Sequence, residues 1–342
     1  MWRLPGKRQL LMDALEVTGG NRLLRLSNPW TGLLVLNYHR IGTADGSLFD
    51  WDLWSASENA FEQQVKFLKQ NFDLIGIDDL PHVYRRQVMS QGRNERFVMI
   101  TFDDGYRDNY ELAYPILKRH NATATFFLAT GFLDQPRVPW WDEIAWVVQM
   151  SHQNGIPEND WTSDAVEFDE PSRKNAITRL LRVYKAMPGD ENEAYLGFLA
   201  DATGSGRCPI EQANDLWMNW DMVAEMRNGG MCFGAHTVNH PVLSSLSADE
   251  QEIEIYESKL RIEHELSEEV TSLSYPVGSQ DAFNTTTREI LAKHGIRWAF
   301  TFHGGYSRFN ELDALAIPRI AIESYVNKAA FRSTVVLPQV FA

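Results

Sequence analysis

The sequence contains 342 residues, with 32 Lys and Arg against 46 Asp and Glu, which gives a formal net charge of −14 at pH 7. This acidic balance argues against a nucleic-acid partner held through phosphate contacts. The two cysteines are too few for a disulfide framework and are consistent with a reducing compartment. The length fits one barrel-type domain with insertions.

Residues 1–32 are predicted to form a helical extension. They include several basic residues but no apolar run of the length that a signal peptide or a membrane span needs. We therefore expect an unexported, cytoplasmic protein. Leu10, Leu11 and Leu15 predict a short amphipathic helix, which should pack on the barrel. Weak peripheral contact with the inner face of the membrane is the alternative, because basic residues flank this helix.

The first strand is predicted at residues 33–38 and ends at His39. Residues 42–57 read as a polar loop, and Ser57 is a predicted N-cap of the next helix. A strand at 72–77 and a helix at 78–88 follow. Strands and helices therefore alternate from the start of the domain.

A carboxylate pair follows the next strand. Residues 97–100 are a short apolar run that predicts a fully covered strand, and the run leads into Asp103-Asp104-Gly105 before a helix at 110–120. Ligands of parallel α/β folds gather at the carboxyl ends of strands, so the pair indicates chemistry. Asp-Gly is also common in ordinary turns, and by itself this motif favours a functional role no more than an ordinary turn.

A change of pattern follows the strand predicted at 124–128. Residues 134–215 alternate polar loops with helical segments, which predicts an insertion within the barrel and not a separate domain. Trp140 and Trp141 at its start are candidates for substrate contact. Anchoring the insertion to the barrel carries equal weight, because aromatic side chains are commonly buried.

Two histidines, His236 and His240, follow a short strand predicted at 231–234. Their four-residue spacing can place both imidazoles on one side of a turn, within reach of one ion. Two imidazoles and one carboxylate form a set that holds a catalytic divalent metal with a position open for water. That set needs only one of Asp103 and Asp104, so the other could act as a base.

The remaining chain continues the alternation. Ser247 and Glu250 predict a capping box at the start of a long helix, and a strand at 271–274 enters the turn Tyr275-Pro276-Val277-Gly278. The repeated order predicts an α/β fold, a distorted (β/α) barrel of about seven mainly parallel strands formed by residues 33–342.

Three motifs then resemble one known family. TFDDGY at 101–106, HTVNHP at 236–241 and SYPVG at 274–278 follow, in order, the first three motifs of the polysaccharide deacetylases, the NodB-homology or carbohydrate esterase family 4 group. The resemblance extends over residues 33–322. It implies that Asp103 is the general base and that Asp104, His236 and His240 are the metal ligands, with Zn²⁺ expected first and Co²⁺ or Ni²⁺ as alternatives.

The resemblance also assigns roles at less certain positions. In the branch that deacetylates poly-N-acetylglucosamine, a similar N-terminal strand ending in Tyr-His supplies the catalytic histidine, which makes His39 the candidate general acid and His303 its substitute. Many relatives have an arginine where Ser274 stands, and Arg319 is the candidate replacement. Val277 N–H is a candidate oxyanion donor, and the remaining substrate contacts are expected from two tyrosines, Tyr106 and Tyr275.

The implied activity is the removal of N-acetyl groups from an N-acetylated saccharide, with release of acetate. Two alternatives stay open. A related metal hydrolase could act on a non-sugar amide or a formyl group, because the metal and the base do not define the substrate. A catalytically silent glycan-binding barrel would keep the ligands without the reaction. The sequence predicts neither the oligomeric state nor whether the saccharide is polymeric, nucleotide-linked or lipid-linked.

Overall fold

The computed structural model describes residues 6–27, 30–89, 95–169 and 172–341. In chain order, the strands of these ranges are β1 (Gly32–Tyr38), β2 (Arg40–Ile41), β3 (Trp54–Ala56), β4 (Asp73–Leu74), β5 (Arg96–Phe102), β6 (Thr125–Leu128), β7 (Gly155–Ile156), β8 (Val166–Glu167), β9 (Cys232–Ala235), β10 (Ser272–Ser274), β11 (Trp298–Phe300) and β12 (Ile320–Ala321).

The α-helices of the same ranges are α1 (Lys7–Val17), α2 (Gly20–Leu26), α3 (Glu58–Asn71), α4 (Leu80–Met89), α5 (Tyr114–Arg119), α6 (Thr130–Asp134), α7 (Trp140–Met150), α8 (Arg173–Ala186), α9 (Asn192–Thr203), α10 (Trp220–Asn228), α11 (Ala248–Leu266), α12 (Thr285–Lys293), α13 (Lys328–Val336) and α14 (Pro338–Phe341). None of them combines the length and the hydropathy that crossing a bilayer requires.

A parallel sheet organises the molecule. Its strands follow the order β11-β10-β9-β6-β5-β1-β12, and β4 pairs with the start of β5. Phe300 and Ile317 form an isolated parallel bridge, and Ile317 leads directly towards β12. This bridge brings the two ends of the sheet together, so the predicted distorted (β/α) barrel of mainly parallel strands is confirmed.

Alternate residues of β1 and β5 enter two different cores. Leu33 and Val35 of β1 belong to the cluster inside the barrel, whereas Leu34 and Leu36 belong to the cluster beneath the outer helices. Met99 of β5 belongs to the same cluster inside the barrel as Leu33 and Val35. Because side chains alternate along a strand, the inner row continues to polar residues at the carboxyl ends of both strands. The polar residues of the candidate site are located there.

Several element predictions differ from the structure in detail. The strand expected at 72–77 is reduced to β4, and the loop at 42–57 contains a 3₁₀ turn (Trp51–Leu53) and β3. The helix expected at 110–120 begins as a π-helix, Asn109–Ala113, before α5. Pro115 has no N–H to donate to the preceding turn, which accounts for the irregular start.

The helical insertion packs on the barrel through a shared apolar cluster. Helices α7, α8 and α9 contribute most of its members, and Tyr106, Ala129 and Phe132 of the barrel complete it. The insertion also contains a short antiparallel pair, β7 and β8, which the sequence pattern did not indicate.

The first and the last helices of the described residues meet beside the barrel. Helices α1 and α2 pack on α13, where Asn21 Nδ2 donates to Ser333 Oγ over 3.2 Å. The predicted capping box of α11 is confirmed, since Glu250 N donates to Ser247 Oγ and Ser247 N donates to Glu250 Oε2.

Candidate active site

Asp103 and Asp104 follow β5 and point in different directions. Asp103 N still donates to Tyr38 O over 3.1 Å, so Asp103 continues the β5–β1 ladder and its side chain follows the inner row. Asp104 has a φ of 73°, a left-handed conformation that turns its carboxylate away from that row. Both residues are buried. The two carboxylates therefore have separate partners.

Asp104 lies beside the two histidines. Its Oδ1 is 3.4 Å from His236 Nε2 and 3.5 Å from His240 Nε2, and one ligand atom from each residue lies within 4.8 Å of the others. His236 Nδ1 lies 2.8 Å from Ser274 O, so Nδ1 carries the proton and the Nε2 lone pair faces Asp104. Burial lowers the pKa of His240 to about 3, which keeps its imidazole neutral.

These residues fit a divalent metal ion. Asp104 Oδ1 is buried without a hydrogen-bond partner, although an unpaired buried carboxylate oxygen is costly. Ligand atoms that each lie about 2.0–2.2 Å from a tetrahedral Zn²⁺ are separated by about 3.4 Å. The observed separations of 3.4 and 3.5 Å match that value and are long for direct hydrogen bonds.

The loop that carries the histidines is tightly held. Thr237 Oγ1 accepts a hydrogen bond from His240 N over 3.0 Å. The buried Glu254 of α11 accepts hydrogen bonds from Val238 N and Asn239 N over 2.9 and 2.8 Å. These bonds satisfy the loop backbone and fix the positions from which the two imidazoles project.

Left-handed backbone conformations are concentrated at this site. Among the described residues, six other than glycine have a positive φ, and four of them are Asp104, Thr237, His240 and Val277. Such conformations are strained for residues with a Cβ atom and persist where the surroundings impose them. Their concentration makes this end of the barrel the candidate functional site.

Asp103 forms a buried, bidentate ion pair with Arg319. Arg319 Nη1 and Nη2 each lie 2.8 Å from one carboxylate oxygen. Ser274 Oγ accepts from Arg319 Nη2 over 2.8 Å and donates to Asp103 Oδ2 over 3.2 Å. Burial raises the pKa of Asp103, but the positive charge and the hydrogen bonds of Arg319 outweigh burial and hold the pKa well below its usual range. The carboxylate is therefore ionised.

Asn37 is a site residue that the sequence analysis missed. Its Oδ1 accepts from Arg319 Nη1 over 2.8 Å, and its Nδ2 donates to Asp103 Oδ2 over 3.3 Å. The signal was present in the sequence, because Asn37 is a polar residue at the inward position of an otherwise apolar strand.

His39 lies at the carboxyl end of β1 and lines the same cleft as the metal-ligand set. Its backbone is held by bonds from His39 N to Ser55 Oγ and from Asn109 Nδ2 to His39 O. Burial lowers the pKa of the His39 ring, and the negative charges of Asp104 and Asp103 oppose this effect. The ring therefore lies close enough to both carboxylates to sense their charge.

The cleft has a volume of about 210 Å³ and is built from both parts of the chain. The barrel provides the polar floor, and the insertion provides an apolar wall with one cation. Its lining residues are His39, Asp50, Asp52, Leu53, Asp103, Asp104, Trp140, Trp141, Leu181, Lys185, His236, His240, Tyr275, Val277, Phe302, Arg319 and Glu323.

Trp140 and Trp141 are placed at the cleft and are packed, whereas their contact with substrate stays a prediction. Trp140 and Trp141 line the cleft, and both are also anchored. The ring of Trp140 stacks on Tyr184 with centroids 4.2 Å apart, and the ring of Trp141 lies edge-on to His240 at 4.4 Å. A place in the cleft lining and an anchoring role are thus not exclusive here.

The structure brings Tyr275 and Val277 into the cleft lining but not Tyr106 or His303. Tyr275 presents its ring, because its hydroxyl donates to Leu315 O over 2.8 Å. Tyr106 lies behind the wall, where its hydroxyl donates to Asp142 Oδ2 and accepts from Trp141 Nε1. His303 lies near the site through its backbone, since its carbonyl accepts from Arg319 N. As placed, Tyr106 supports Trp141 and does not face the cleft.

Asp142 is a second residue that the sequence analysis missed. It is fully buried in α7 and accepts hydrogen bonds from Tyr106 and from Asp50 N. Burial raises the pKa of Asp142 to about 7 and that of Asp50 to about 6. Nothing in the sequence near Asp142 distinguishes it from an ordinary carboxylate of a first helical turn, where acidic residues are common.

Comparison with known sequences gives a consistent result. The sequence profile described as Polysaccharide deacetylase matches residues 90–163 and 197–299, just over half of the chain. The unmatched residues between the two segments fall inside the predicted insertion. The chain is 21% identical over 301 residues to YxkH of Bacillus subtilis (strain 168), which covers 87% of this chain and 74% of that protein.

One further similarity is a sequence match over a shorter segment, and another is a similarity of structure. The chain is 31% identical over 115 residues to the poly-beta-1,6-N-acetyl-D-glucosamine N-deacetylase of Staphylococcus aureus (strain MSSA476), which covers 30% of this chain but only 37% of that protein. The solved Streptococcus pyogenes deacetylase PplD in complex with acetate superposes with a TM-score of 0.57 at 21% identity, over 91% of this chain and 98% of that one. At that identity the likeness concerns the fold.

Proposed function

This chain belongs to the polysaccharide deacetylase family, and we propose that it hydrolyses the N-acetyl groups of an N-acetylated saccharide with one divalent ion, Zn²⁺ ahead of Co²⁺ or Ni²⁺. The observation that carries the proposal is Asp104 Oδ1, which is buried, unpaired and placed between two imidazoles. The enzyme class is that of a carbohydrate deacetylase. An N-acetylglucosamine polymer is the first substrate to test, because the Staphylococcus aureus relative is named for that activity.

The residues that would hold the ion are Asp104, His236 and His240. When bound, a divalent ion supplies positive charge that polarises an amide carbonyl and lowers the pKa of water. The set leaves positions open for substrate, as in catalytic sites with three protein ligands. Trp141 of the insertion packs edge-on against His240 and covers one side of its ring.

Asp103 is proposed as the general base. Its carboxylate is ionised and held on both oxygens by Arg319, so it cannot rotate away from the attacking water. The same ion pair makes Asp103 a weak base. It would therefore accept a proton only from a water whose pKa a bound ion had lowered.

His39 is proposed as the general acid. Expelling an unprotonated amide nitrogen is costly, and His39 is a titratable group in the cleft with no assigned place in the ligand set. Val277 lines the cleft at a φ of 63°, in the turn where Gly278 N donates to Pro276 O, and its N–H is the proposed donor to the oxyanion.

The experiment is a product screen on the full chain. Chelator-treated protein would be reloaded with Zn²⁺, Co²⁺ or Ni²⁺ and offered N-acetylglucosamine oligomers, UDP-linked and polyprenyl-linked N-acetyl sugars and a formylated amine. We expect acetate release from at least one sugar, restored by metal and absent in the Asp103→Asn variant. Release from the formylated amine alone would favour a non-sugar amidohydrolase, and a full metal load without hydrolysis would favour a glycan-binding barrel.

We also propose that the chain works in the cytoplasm on a biosynthetic precursor. The free thiols of Cys208 and Cys232 are compatible with a reducing compartment. Fractionation of cells that express the native gene tests this location, and recovery of the protein from the periplasm would contradict it.

A further inference from the structure

Helix α1 is oriented with an apolar face towards solvent. Leu10, Ala14 and Val17 are spaced by four and three residues, so they share one side of the helix, and all three are exposed. The opposite side carries the contacts with the rest of the molecule. Glu16 pairs with Arg332 of α13 over 2.7 Å. Met12 is buried on that side, so α1 exposes a second apolar face in addition to the side that it packs against the molecule.

Helix α2 has the same character. Asn21 is its buried residue and binds Ser333 of α13, whereas Leu23 and Leu26 are exposed. Of the sixteen exposed large apolar side chains among the described residues, five lie within residues 10–26, with exposed fractions from 50% to 87%. We call these five the apolar face of the α1–α2 pair; they are Leu10, Leu11, Val17, Leu23 and Leu26. Scattered apolar residues need no explanation, but a concentration of this kind indicates a partner.

The charge around this face differs from that of the whole chain. The chain has a net charge of −14, whereas residues 6–27 contain four cations, Lys7, Arg8, Arg22 and Arg25, against two carboxylates. Of those two carboxylates, Glu16 pairs with the cation Arg332, whereas Asp13 accepts from the neutral Gln9 Nε2 and keeps its charge. The face therefore presents a positive surface on an acidic protein.

A basic cleft lies on the side of the α1–α2 pair that packs on α13. It has a volume of about 460 Å³ and is lined by Arg22, Arg25 and Arg332 against one carboxylate, Glu16. Arginine binds phosphate oxygens through its planar, multiply donating guanidinium. Exposed leucines beside phosphate-binding cations are the combination that holds a helix in the interface of an anionic membrane.

We propose that the α1–α2 pair docks the enzyme peripherally on an anionic lipid bilayer. A second copy of this chain fits the face less well, because a two-fold dimer places the same patch on both sides and would oppose like charges. This docking geometry also leaves the active-site cleft open to substrate. Arg25 O accepts from Arg96 Nη1 at the first residue of β5, whereas Asp103 follows the last residue of that strand. The docking face and the catalytic centre thus lie towards opposite ends of β5.

The test is co-sedimentation of the full chain with vesicles of phosphatidylcholine alone or with about one-third phosphatidylglycerol. We expect at least tenfold tighter binding to the anionic vesicles at low salt and loss of that preference at high salt. The double variant Val17→Asp/Leu23→Asp and the charge-reversal variant Lys7→Glu/Arg22→Glu should each bind at least tenfold more weakly.

The matched control is Val88→Asp/Met89→Asp, which alters two exposed apolar residues of α4 and should bind as the unaltered protein does. Thermal unfolding and acetate release from a water-soluble substrate should be unchanged in all three variants, which shows that the fold is intact. Equal binding of the variants, absence of binding to anionic vesicles, or a stable dimer that Val17→Asp/Leu23→Asp dissociates would each overturn the proposal. None of these outcomes bears on the deacetylase activity.

Discussion

Asp103 and Asp104 are adjacent in the chain but belong to different networks. The left-handed φ of Asp104 directs its carboxylate to the histidines, whereas Asp103 continues the strand and meets Arg319. Removing the charge of Asp103 should therefore have a different consequence from removing the charge of Asp104. This separation makes the proposed roles testable one residue at a time.

Replacing Asp103 by Asn should leave metal binding near normal and lower kcat by roughly 10²–10⁴, the usual contribution of a general base. His240→Ala is the matched comparison, because it removes a proposed ligand and should lose metal and activity together. Elemental analysis and steady-state kinetics measure both effects. Loss of metal from Asp103→Asn with retention in His240→Ala would reverse the assignment.

Replacing His39 by Ala should slow the turnover of acetamides but affect an acetate ester with a good leaving group much less, since such an oxygen departs without protonation. His39 must be protonated to act, and burial lowers its pKa below the ordinary 6.5. The kcat/KM of the unaltered enzyme should therefore fall as pH rises through a value below 6.5, and this fall should be absent in the variant.

The exposed His82 of α4 provides the control, because His82→Ala should leave both substrates and the pH profile unchanged. Equal losses on amide and ester in His39→Ala, with an unchanged pH profile, would remove His39 from the mechanism. His303 would then be the next candidate, although its ring does not line the cleft.

At the scale of elements, the positive charge that holds Asp103 comes from the segment leading into β12 and not from the end of β10. Arg319 reaches the carboxylate across the closed barrel, and Ser274 at the end of β10 makes room by presenting only a hydroxyl. The two positions therefore converge on the same carboxylate, although 45 residues separate them.

This convergence predicts that Arg319→Ala is severely destabilising, by about 3–5 kcal/mol, because it leaves a buried carboxylate without its partner. The double variant Arg319→Ala/Ser274→Arg should recover part of the stability and activity by returning a guanidinium to the same carboxylate. Denaturant unfolding and acetate release measure the recovery. A double variant no better than the single one would mean that the geometry of β12 itself is required.

At the scale of the whole molecule, the insertion and the barrel are joined by a buried polar chain through Trp141, Tyr106 and Asp142. Burial raises the pKa of Asp142 to about 7. The folded protein therefore keeps the Asp142 carboxyl protonated at pH values where the same carboxyl of the unfolded chain has lost its proton. The free energy of unfolding should therefore fall as pH rises between about 4 and 7, the interval between the unfolded and folded pKa values.

As pH rises from 5 to 7, Asp142 alone should lower the free energy of unfolding by about 2 kcal/mol. Asp142→Asn cannot titrate, so its free energy of unfolding should depend less steeply on pH by that amount. Denaturant titrations at both pH values measure the difference, and Asp164→Asn on the exposed surface is the control. Parallel curves for the unaltered protein and Asp142→Asn would show that Asp142 is ionised in the folded state.

The sequence by itself determined the alternation that builds the barrel, the family, the enzyme class and the motifs from which the metal-ligand set was predicted. These features depend on local patterns, since apolar runs predict strands and a four-residue histidine spacing stays recognisable without a fold. Tertiary structure decided which charge meets Asp103, that Tyr106 lies behind the wall, and that Asn37 and Asp142 belong to polar networks. Such contacts join residues far apart in the chain, and burial, which shifts their pKa values, exists only after the barrel has closed.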